Sequence, residues 1–283
     1  MKLMALADIH QMSSKWKVLV KEAIARHPDV VVIAGDLLPK DNGIPAQMEF
    51  RNALFKYAKK IRDNGIELVL TLGNDDNINF IPYMRTGEEQ GLWHYLQDSF
   101  CEISGYHFVG MPYVPDHPFG YKQWVRGETR KNIRISGFQF SEPLMLDTFN
   151  EFHEISDYKN WLTQQETLDE KLESLARRVK DMSKSIWLIH SPPTHLGLDV
   201  CADKREVGSD SVSRFIEKHQ PLLTIHGHIH ESPIYSGKWF GKQGRTTSIQ
   251  TGQNDTRLWY ANVLIDDMGI TMSHSILDKG EPK

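Results

Sequence analysis

The sequence predicts an α/β fold, and three observations support this prediction. Short apolar segments typical of buried strands alternate with amphipathic helices over the first 75 residues. Polar residues follow each strand candidate directly, as they do beyond the carboxyl ends of strands in open α/β sheets. The chain has 283 residues, which is enough to bury one sizeable core. Alternating strands and helices imply parallel strands joined by right-handed crossovers.

The first two strands and the helix between them are predicted within residues 2–34. Residues 2–7 are apolar, and Ser13 or Ser14 can cap a helix that Pro28 ends. The apolar residues of this helix recur at helical spacing and form one buried stripe, namely Trp16, Leu19, Val20, Ala23 and Ile24. Residues 29–34 are apolar and mostly β-branched, which is typical of a strand covered on both faces.

A second helix and a third strand are predicted before residue 75. Gly65 stands where a helix C-cap glycine is expected, and residues 67–72 form the strand. The apolar residues of the helix align on one side and comprise Phe50, Leu54, Tyr57, Ala58 and Ile61.

The remaining chain is less regular. Residues 112–160 are rich in proline, aromatic and charged residues and show weak periodicity. Thr163 and Glu166 have the spacing of a capping box, which would open a helix with an apolar seam from Leu168 to Met182. Strands are predicted at 185–189 and 222–225, a helix near 209–218, and antiparallel strands over about 246–276.

The composition predicts a folded cytoplasmic protein. Its 40% hydrophobic and 25% charged residues are typical of globular chains, and its net charge of -4 gives no general attraction to nucleic acid. Cys101 and Cys201 cannot form a disulfide framework and are expected to be free thiols. The first ten residues lack the features of a signal peptide, and no apolar run approaches the roughly 20 residues of a membrane span.

Candidate metal ligands occur in five short segments, each of which follows a strand candidate. They are Asp8-Ile9-His10, Gly35-Asp36, Gly73-Asn74, His190 and Gly227-His228-Ile229-His230. A lone histidine after a strand is usually an ordinary polar residue, but seven ligand-type side chains at ordered strand ends favour a shared site. Carboxylate, imidazole and amide groups without a thiolate suit Mn, Fe, Zn or Co rather than structural zinc.

The order of these segments closely resembles the calcineurin-like metallophosphoesterase superfamily, with its D-x-H, G-D, G-N-H-(D/E), H and G-H-x-H blocks. The resemblance spans about residues 1–255. It implies a layered α-β-β-α sandwich with two mixed sheets flanked by helices. We expect a single domain over 1–283 with an elaborated insertion at about 112–165, a candidate cap over the site.

The resemblance also implies two divalent metal ions, with Mn preferred over Fe, Zn, Co or Ni. Asp36 would bridge ions that lie ~3.5–4 Å apart. Asp8 and His10 are expected on one face of an extended segment because side chains two apart share a face, and the same holds for His228 and His230. The implied ligands are Asp8, His10 and His230 for one ion and Asn74, His190 and His228 for the other.

The implied activity is phosphoester hydrolysis, most directly of a diester, in which a hydroxide that bridges the two ions attacks phosphorus in line. One position departs from the pattern, since Asp75 stands where the superfamily usually has a histidine. Aspartate is usually ionised at neutral pH, so Asp75 would be a poor proton donor. The candidate catalytic residues are therefore Asp36, Asp75 and His195, the last by proximity to His190 alone.

Substrate recognition is expected from the insertion, and the sequence leaves other functions open. The expected partner is a small phosphorylated or nucleotide-like molecule, and no oligomeric state is indicated. A DNA or RNA nuclease is the first alternative, and a non-catalytic scaffold is the second. The insertion residues that could contact a base or a phosphate are Tyr113, His117, Phe119, Tyr121, Trp124, Arg126, Arg130, Lys131 and Arg134.

Overall fold

The protein is described by a computed structural model that covers residues 1–10, 13–40, 42–254 and 257–279. Within these residues, no helix is both long and apolar enough to cross a membrane. The elements of the first half are β1 (Lys2–Leu6), α1 (Ser13–Arg26), β2 (Val30–Ala34), α2 (Gly43–Arg62), β3 (Glu67–Thr71), α3 (Ile81–Glu89), β4 (His94–Tyr95), β5 (Ser99–Ile103) and β6 (Tyr106–Met111). Those of the second half are β7 (Leu144–Leu146), β8 (Phe152–Glu154), α4 (Tyr158–Gln164), α5 (Leu168–Ala176), β9 (Ser185–Ile189), α6 (Asp210–His219), β10 (Leu223–His226), α7 (Ser232–Ser236), β11 (Phe240–Gln243), β12 (Thr246–Gln250), β13 (Ala261–Asp266) and β14 (Gly269–His274).

Two six-stranded mixed sheets form the centre of the fold. The first has the order β14-β13-β1-β2-β3-β4, in which β1 to β4 are parallel and β13 and β14 are antiparallel to their neighbours. The second has the order β11-β12-β10-β9-β6-β5, in which only the edge strands β11 and β5 are antiparallel. The prediction of two mixed sheets flanked by helices is confirmed.

An apolar layer between the two sheets holds them together. Val30 and Val32 of β2 pack in one cluster with Ile186 and Leu188 of β9. The opposite faces of the same strands are also buried, because Val31 packs with Trp16 of α1 and Trp187 packs with Phe215 of α6. All five residues of β2 are buried, as the sequence predicted for a strand covered on both faces.

Two details of the predicted secondary structure were wrong. The capping box is formed by Thr167 and Glu170, whereas Thr163 lies inside α4. Both threonines precede a glutamate by three residues, so the pattern alone could not distinguish them. The following helix ends at Ala176 rather than Met182. The antiparallel strands predicted over about 246–276 are present, because β13 pairs with β14 and β12 pairs with β11 in antiparallel orientation.

The insertion at 112–165 packs behind the strand ends of the first sheet. Its indole anchor, Trp124, is almost fully buried and donates a 2.7 Å hydrogen bond to the backbone oxygen of Asp76. Within the insertion, the buried ammonium of Lys122 lies 2.8 Å from a carboxylate oxygen of Asp116. The Trp124 hydrogen bond joins the insertion to the loop that follows β3, and the Lys122 pair stabilises the insertion internally.

Candidate metal centre

All seven candidate ligands lie together at the carboxyl ends of the parallel strands. Asp8 follows β1, Asp36 follows β2, and Asn74 follows β3. From the second sheet, His190 follows β9, while His228 and His230 follow β10. The two sheets therefore meet at this edge and contribute to one site, as expected for functional residues in open α/β sheets.

Several of these residues have a backbone conformation that the sequence did not indicate. Asp8, His10, Asp36 and His228 have positive φ angles of 54°, 46°, 51° and 72°. The explanation that paired residues share one face of an extended segment was therefore wrong, because left-handed backbone at these residues sets the direction of their side chains. Left-handed backbone at non-glycine residues costs of order 1–3 kcal/mol each and is concentrated at functional sites.

One half of the site combines two carboxylates and two imidazoles. Candidate ligand atoms of Asp8, His10, Asp36 and His230 all lie within 4.8 Å of one another. His10 Nε2 lies 2.9 Å from His230 Nε2 and 3.4 Å from Asp36 Oδ2. Among the described residues, Asp8 Oδ2 is buried without a hydrogen-bond partner. Because a buried carboxylate oxygen is costly unless it is paired, this donor set fits a cation.

The other half is centred on the side-chain oxygen of Asn74. Asn74 Oδ1 lies 3.0 Å from His190 Nε2 and 2.6 Å from His228 Nδ1. Asp36 Oδ2 is 3.2 Å from His190 Nε2, so this carboxylate faces both halves. The position of Asp36 is the one expected of a ligand shared by two ions.

The electrostatics show a cluster of buried groups that compete for protons. Burial raises the pKa of Asp8 to about 7. Burial alone would lower the pKa of His190, but the neighbouring Asp36 and Asp8 carboxylates outweigh it and raise that pKa to about 10. Burial lowers the pKa of both His228 and His230 well below the ordinary value. His228 and His230 are therefore neutral at pH 7, as metal binding requires, whereas His190 must release the proton that Asp36 and Asp8 stabilise before it can bind a divalent metal.

Asp75 does not stand free in the site. One of its carboxylate oxygens accepts a 2.9 Å hydrogen bond from Asn74 Nδ2, and the other lies 2.7 Å from Lys40 Nζ. Asp75 thereby fixes the Asn74 amide with its oxygen toward the two histidines. The structure does not bring His195 to this site, since its side chain is 78% exposed and its nearest charged partner is Glu206 at 3.8 Å.

Asp76 organises the loops beneath the site, although the sequence analysis gave it no role. It is fully buried and accepts hydrogen bonds from the backbone N–H groups of Leu37, Leu38 and Gly73. Burial and the nearby Asp36 raise its pKa to about 8, against the effect of these three donors. Asp75 and Asp76 are adjacent aspartates after the same strand, and nothing in the sequence shows that Asp76 is the buried one.

The glycines that precede the ligands allow their close approach. At Gly35, which has a φ angle of 98°, an added Cβ atom would overlap the His190 ring. At Gly73, it would lie 2.5 Å from the backbone nitrogen of Asp36 and 2.7 Å from His190 Cε1. The two glycines therefore leave room for ligands from both sheets at one point.

A cavity of about 400 Å³ opens from the metal centre toward the insertion. Asp36, Asn74 and His228 are the candidate ligands at one side of its lining, together with His230. His117 and Phe119 line it, as expected for the insertion, whereas Tyr113 and Trp124 are buried in packing and Arg130 pairs with Glu170. Lys40, Phe138, Phe140 and Arg205 are among the lining residues that were not predicted from the sequence.

Comparison with known proteins places this geometry in a family. A family model described as calcineurin-like phosphoesterase matches residues 1–232. The chain belongs to the calcineurin-like phosphoesterase family. Members of this family typically bind two divalent metal ions, and the cluster of Asp8, His10, Asp36 and His230 is a candidate position for such binding. No protein with curated function matches the chain in sequence.

Solved structures agree with the family in fold. One crystal structure has a TM-score of 0.59 at 15% identity, with 96% of this chain and 98% of the other covered. The TT1561 protein of Thermus thermophilus has a TM-score of 0.57 at 14% identity, with 96% and 97% covered. An archaeal phosphodiesterase covers 97% and 99% at 11% identity, but its TM-score of 0.45 is too low to argue from. At these identities the likeness concerns the fold alone.

Proposed function

We propose that this phosphoesterase hydrolyses phosphodiesters of small, nucleotide-like molecules with two divalent metal ions, of which Mn is the preferred candidate. The observation that carries the proposal is the position of Asp36, whose Oδ2 faces His10 Nε2 at 3.4 Å and His190 Nε2 at 3.2 Å. A carboxylate between two groups of nitrogen and oxygen donors is suited to bridge two cations. The proposed ligands are Asp8, His10, Asp36, Asn74, His190, His228 and His230.

The side chains around the site hold these ligands and receive the substrate. A pair of divalent ions would supply an activated water at neutral pH and would neutralise charge on the phosphoryl oxygens. Asp75 holds the Asn74 amide in its binding orientation. Lys40, paired with Asp75, places a positive charge in the cavity wall, where it attracts an anionic substrate.

A diester is favoured because the cavity lacks an evident proton donor at position 75 and offers apolar contact for an organic group. The Asp75 carboxylate accepts from Asn74 Nδ2 and pairs with the Lys40 ammonium, so it is not available to protonate a leaving group. The ring of Phe140 contacts the rings of both Phe119 and Phe138, with centroid distances of 5.5 Å and 5.2 Å. Exposed aromatic rings beside a phosphate site suit a planar base.

The compartment is part of the same proposal. Cys101 and Cys201 are free, and burial raises the pKa of each thiol, to about 12 and about 11. Unreactive free thiols fit the reducing cytoplasm.

The test is hydrolysis by protein that has been stripped of metal and reloaded with Mn. The substrates are p-nitrophenyl phosphate, bis-p-nitrophenyl phosphate, cyclic nucleotides and short DNA. We expect the diesters to be hydrolysed with the higher kcat/KM, and the activity to disappear with chelation. Preference for the monoester would overturn the diester assignment, preference for DNA would favour a nuclease, and failure on every substrate with every metal would refute an enzymatic role.

A further inference from the structure

His117 is an unsatisfied histidine in the wall of the cavity. His117 is only 6% exposed, and neither of its ring nitrogens has a hydrogen-bond partner among the described residues. An imidazole carries at least one N–H group in any tautomer. Leaving such a donor buried and unpaired costs about 1–3 kcal/mol, so the position favours a ligand that completes it.

The loop that carries His117 is held in place by buried polar contacts. The backbone oxygen of His117 accepts a hydrogen bond from the Lys122 ammonium, which is itself fully buried. The same ammonium pairs with Asp116, and Asp116 also accepts a 2.5 Å hydrogen bond from the hydroxyl of Tyr158. This network fixes the backbone next to the ring, so the missing partner of His117 is not explained by a loose loop.

The ring of His117 faces the half of the metal centre that is built on Asn74. Its centroid lies 5.9 Å from that of His228, whose Nδ1 contacts Asn74 Oδ1. Both His117 and Asn74 line the cavity. A phosphoryl group that enters the cavity and binds at the Asn74 half would therefore lie beside the His117 ring.

We propose that His117 is a substrate-binding residue that donates an N–H hydrogen bond to a non-bridging oxygen of the phosphoryl group. This inference rests on the proposed function. A neutral imidazole suffices, because either neutral tautomer has one N–H donor. A fixed donor aimed at an oxygen that gains charge in the reaction stabilises the transition state more than the ground state. His117 thereby provides the donor that Asp75, an acceptor held by Lys40, does not provide.

The test compares two substitutions of His117. His117→Phe keeps an aromatic ring beside Phe119 and His228 but removes the N–H group, whereas His117→Gln keeps an amide N–H. The matched control is Phe149→Ala, because Phe149 lies on the same insertion with an 81% exposed side chain. Three quantities are measured on Mn-loaded protein: bound metal per chain, the Kd of inorganic phosphate by calorimetry, and kcat/KM for bis-p-nitrophenyl phosphate.

We expect His117→Phe to weaken phosphate binding about tenfold, which corresponds to one hydrogen bond. Its kcat/KM should fall about 100-fold, the lower end of what loss of an oxyanion donor costs. His117→Gln should lose less on both measures, and bound metal should stay at the wild-type value. The control should match wild type throughout.

Two results would overturn the assignment. Unchanged phosphate binding and turnover in His117→Phe would show that the ring does not contact the phosphoryl group, and reduced metal content would make His117 a metal ligand instead. The failure of the proposed function is distinguishable from both, because wild-type protein would then hydrolyse no ester while the phosphate Kd still compares the variants.

Discussion

The Nε2 atoms of His10 and His230, which are 220 residues apart in the chain, lie 2.9 Å from each other. Beside them, Asp36 Oδ2 is 3.4 Å from His10 Nε2, and Asp8 Oδ1 is 3.7 Å from His230 Nε2. The two imidazole nitrogens can share one proton. A cation between these groups would bind both nitrogens and both carboxylates. This contact between the first and the last ligand segments joins the two sheets at the site.

Gly73→Ala should weaken metal binding although every ligand residue is retained. The added methyl group would lie 2.5 Å from the backbone nitrogen of Asp36 and 2.7 Å from His190 Cε1, so Asp36 or His190 must shift. We expect the affinity for Mn to fall about 10- to 100-fold, as for other changes that displace ligands indirectly. Calorimetric titration with Mn measures this effect. Gly137→Ala, which meets no atom within 4 Å, is the control, and equal affinities for both variants would refute the steric account.

Asp75→Ala and Asp75→Asn should differ in metal affinity. Asp75 accepts a hydrogen bond from Asn74 Nδ2, and an asparagine oxygen can accept the same bond whereas alanine cannot. We expect Asp75→Ala to lose about tenfold in affinity for one of two ions and Asp75→Asn to retain most of it. Lys40→Gln removes the ion pair without touching Asn74 and should bind metal like wild type. If Asp75→Ala also binds both ions normally, Asp75 does not position Asn74.

Asp76→Asn should destabilise the fold. Asp76 accepts hydrogen bonds from three buried backbone N–H groups, and the amide nitrogen of asparagine would oppose at least one of them. We expect the free energy of unfolding to fall by about 2 kcal/mol, the usual cost of a buried donor without an acceptor. Urea denaturation of the metal-free protein at about pH 9, above the pKa of Asp76, measures it. A variant as stable as wild type would show that Asp76 does not anchor these loops.

His274 should make stability depend on pH. Its Nε2 donates to the backbone oxygen of Thr251, and its Nδ1 accepts from the N–H groups of Ile276 and Leu277, which requires the neutral ring. Burial lowers the pKa of His274 below its ordinary value. The unfolded chain therefore takes up a proton before the folded chain does, so stability is complete above about pH 6.5 and falls below it.

The quantity to measure is the change in the free energy of unfolding per pH unit. One histidine contributes at most about 1.4 kcal/mol per pH unit to the free energy of unfolding. We expect His274→Gln to be less stable than wild type at pH 7.5 but to lose less stability between pH 6.5 and 5, with chelator present throughout. Identical slopes for the two proteins would show that His274 does not titrate differently in the two states.

The aromatic wall of the cavity should affect substrate binding more than turnover. Phe119 and Phe140 line the cavity with ring centroids 5.5 Å apart. Replacing both by alanine should raise KM for an aromatic diester by about 5- to 150-fold, because stacking on one base contributes about 1–3 kcal/mol, and should leave kcat nearly unchanged. Phe149→Ala, an 81% exposed phenylalanine of the same insertion, should behave like wild type. A KM equal to that of wild type in the double variant would show that these two rings do not contact the substrate.

The ligands could be found from the sequence because their spacing relative to strands carries the information. Asp36 and His190 each end an apolar segment, and parallel strands bring such ends to one edge. The orientation of Asp8 and His10 could not be explained from the sequence. It depends on left-handed backbone at these two residues rather than on the alternation of side chains along a strand. Backbone strain of this kind leaves no periodic pattern.

The residues around the ligands were harder to predict because their roles depend on tertiary contacts. Phe138 and Phe140 reach the cavity only because the insertion folds back on itself, and nothing in their local sequence distinguishes them from other exposed aromatics. Lys40 acquires its role from its pairing with Asp75. His195 illustrates the opposite error, since nearness in sequence to His190 did not bring its side chain to the site.

The central claim is that Asp36 and its neighbours hold two divalent ions side by side. The most direct measurement is an anomalous-difference map from a crystal of the Mn-loaded protein. We expect two peaks ~3.5–4 Å apart, with the Asp36 carboxylate between them and the six other ligands divided around them. The absence of peaks at this edge of the sheets, or a single peak that Asp36 does not contact, would contradict the account.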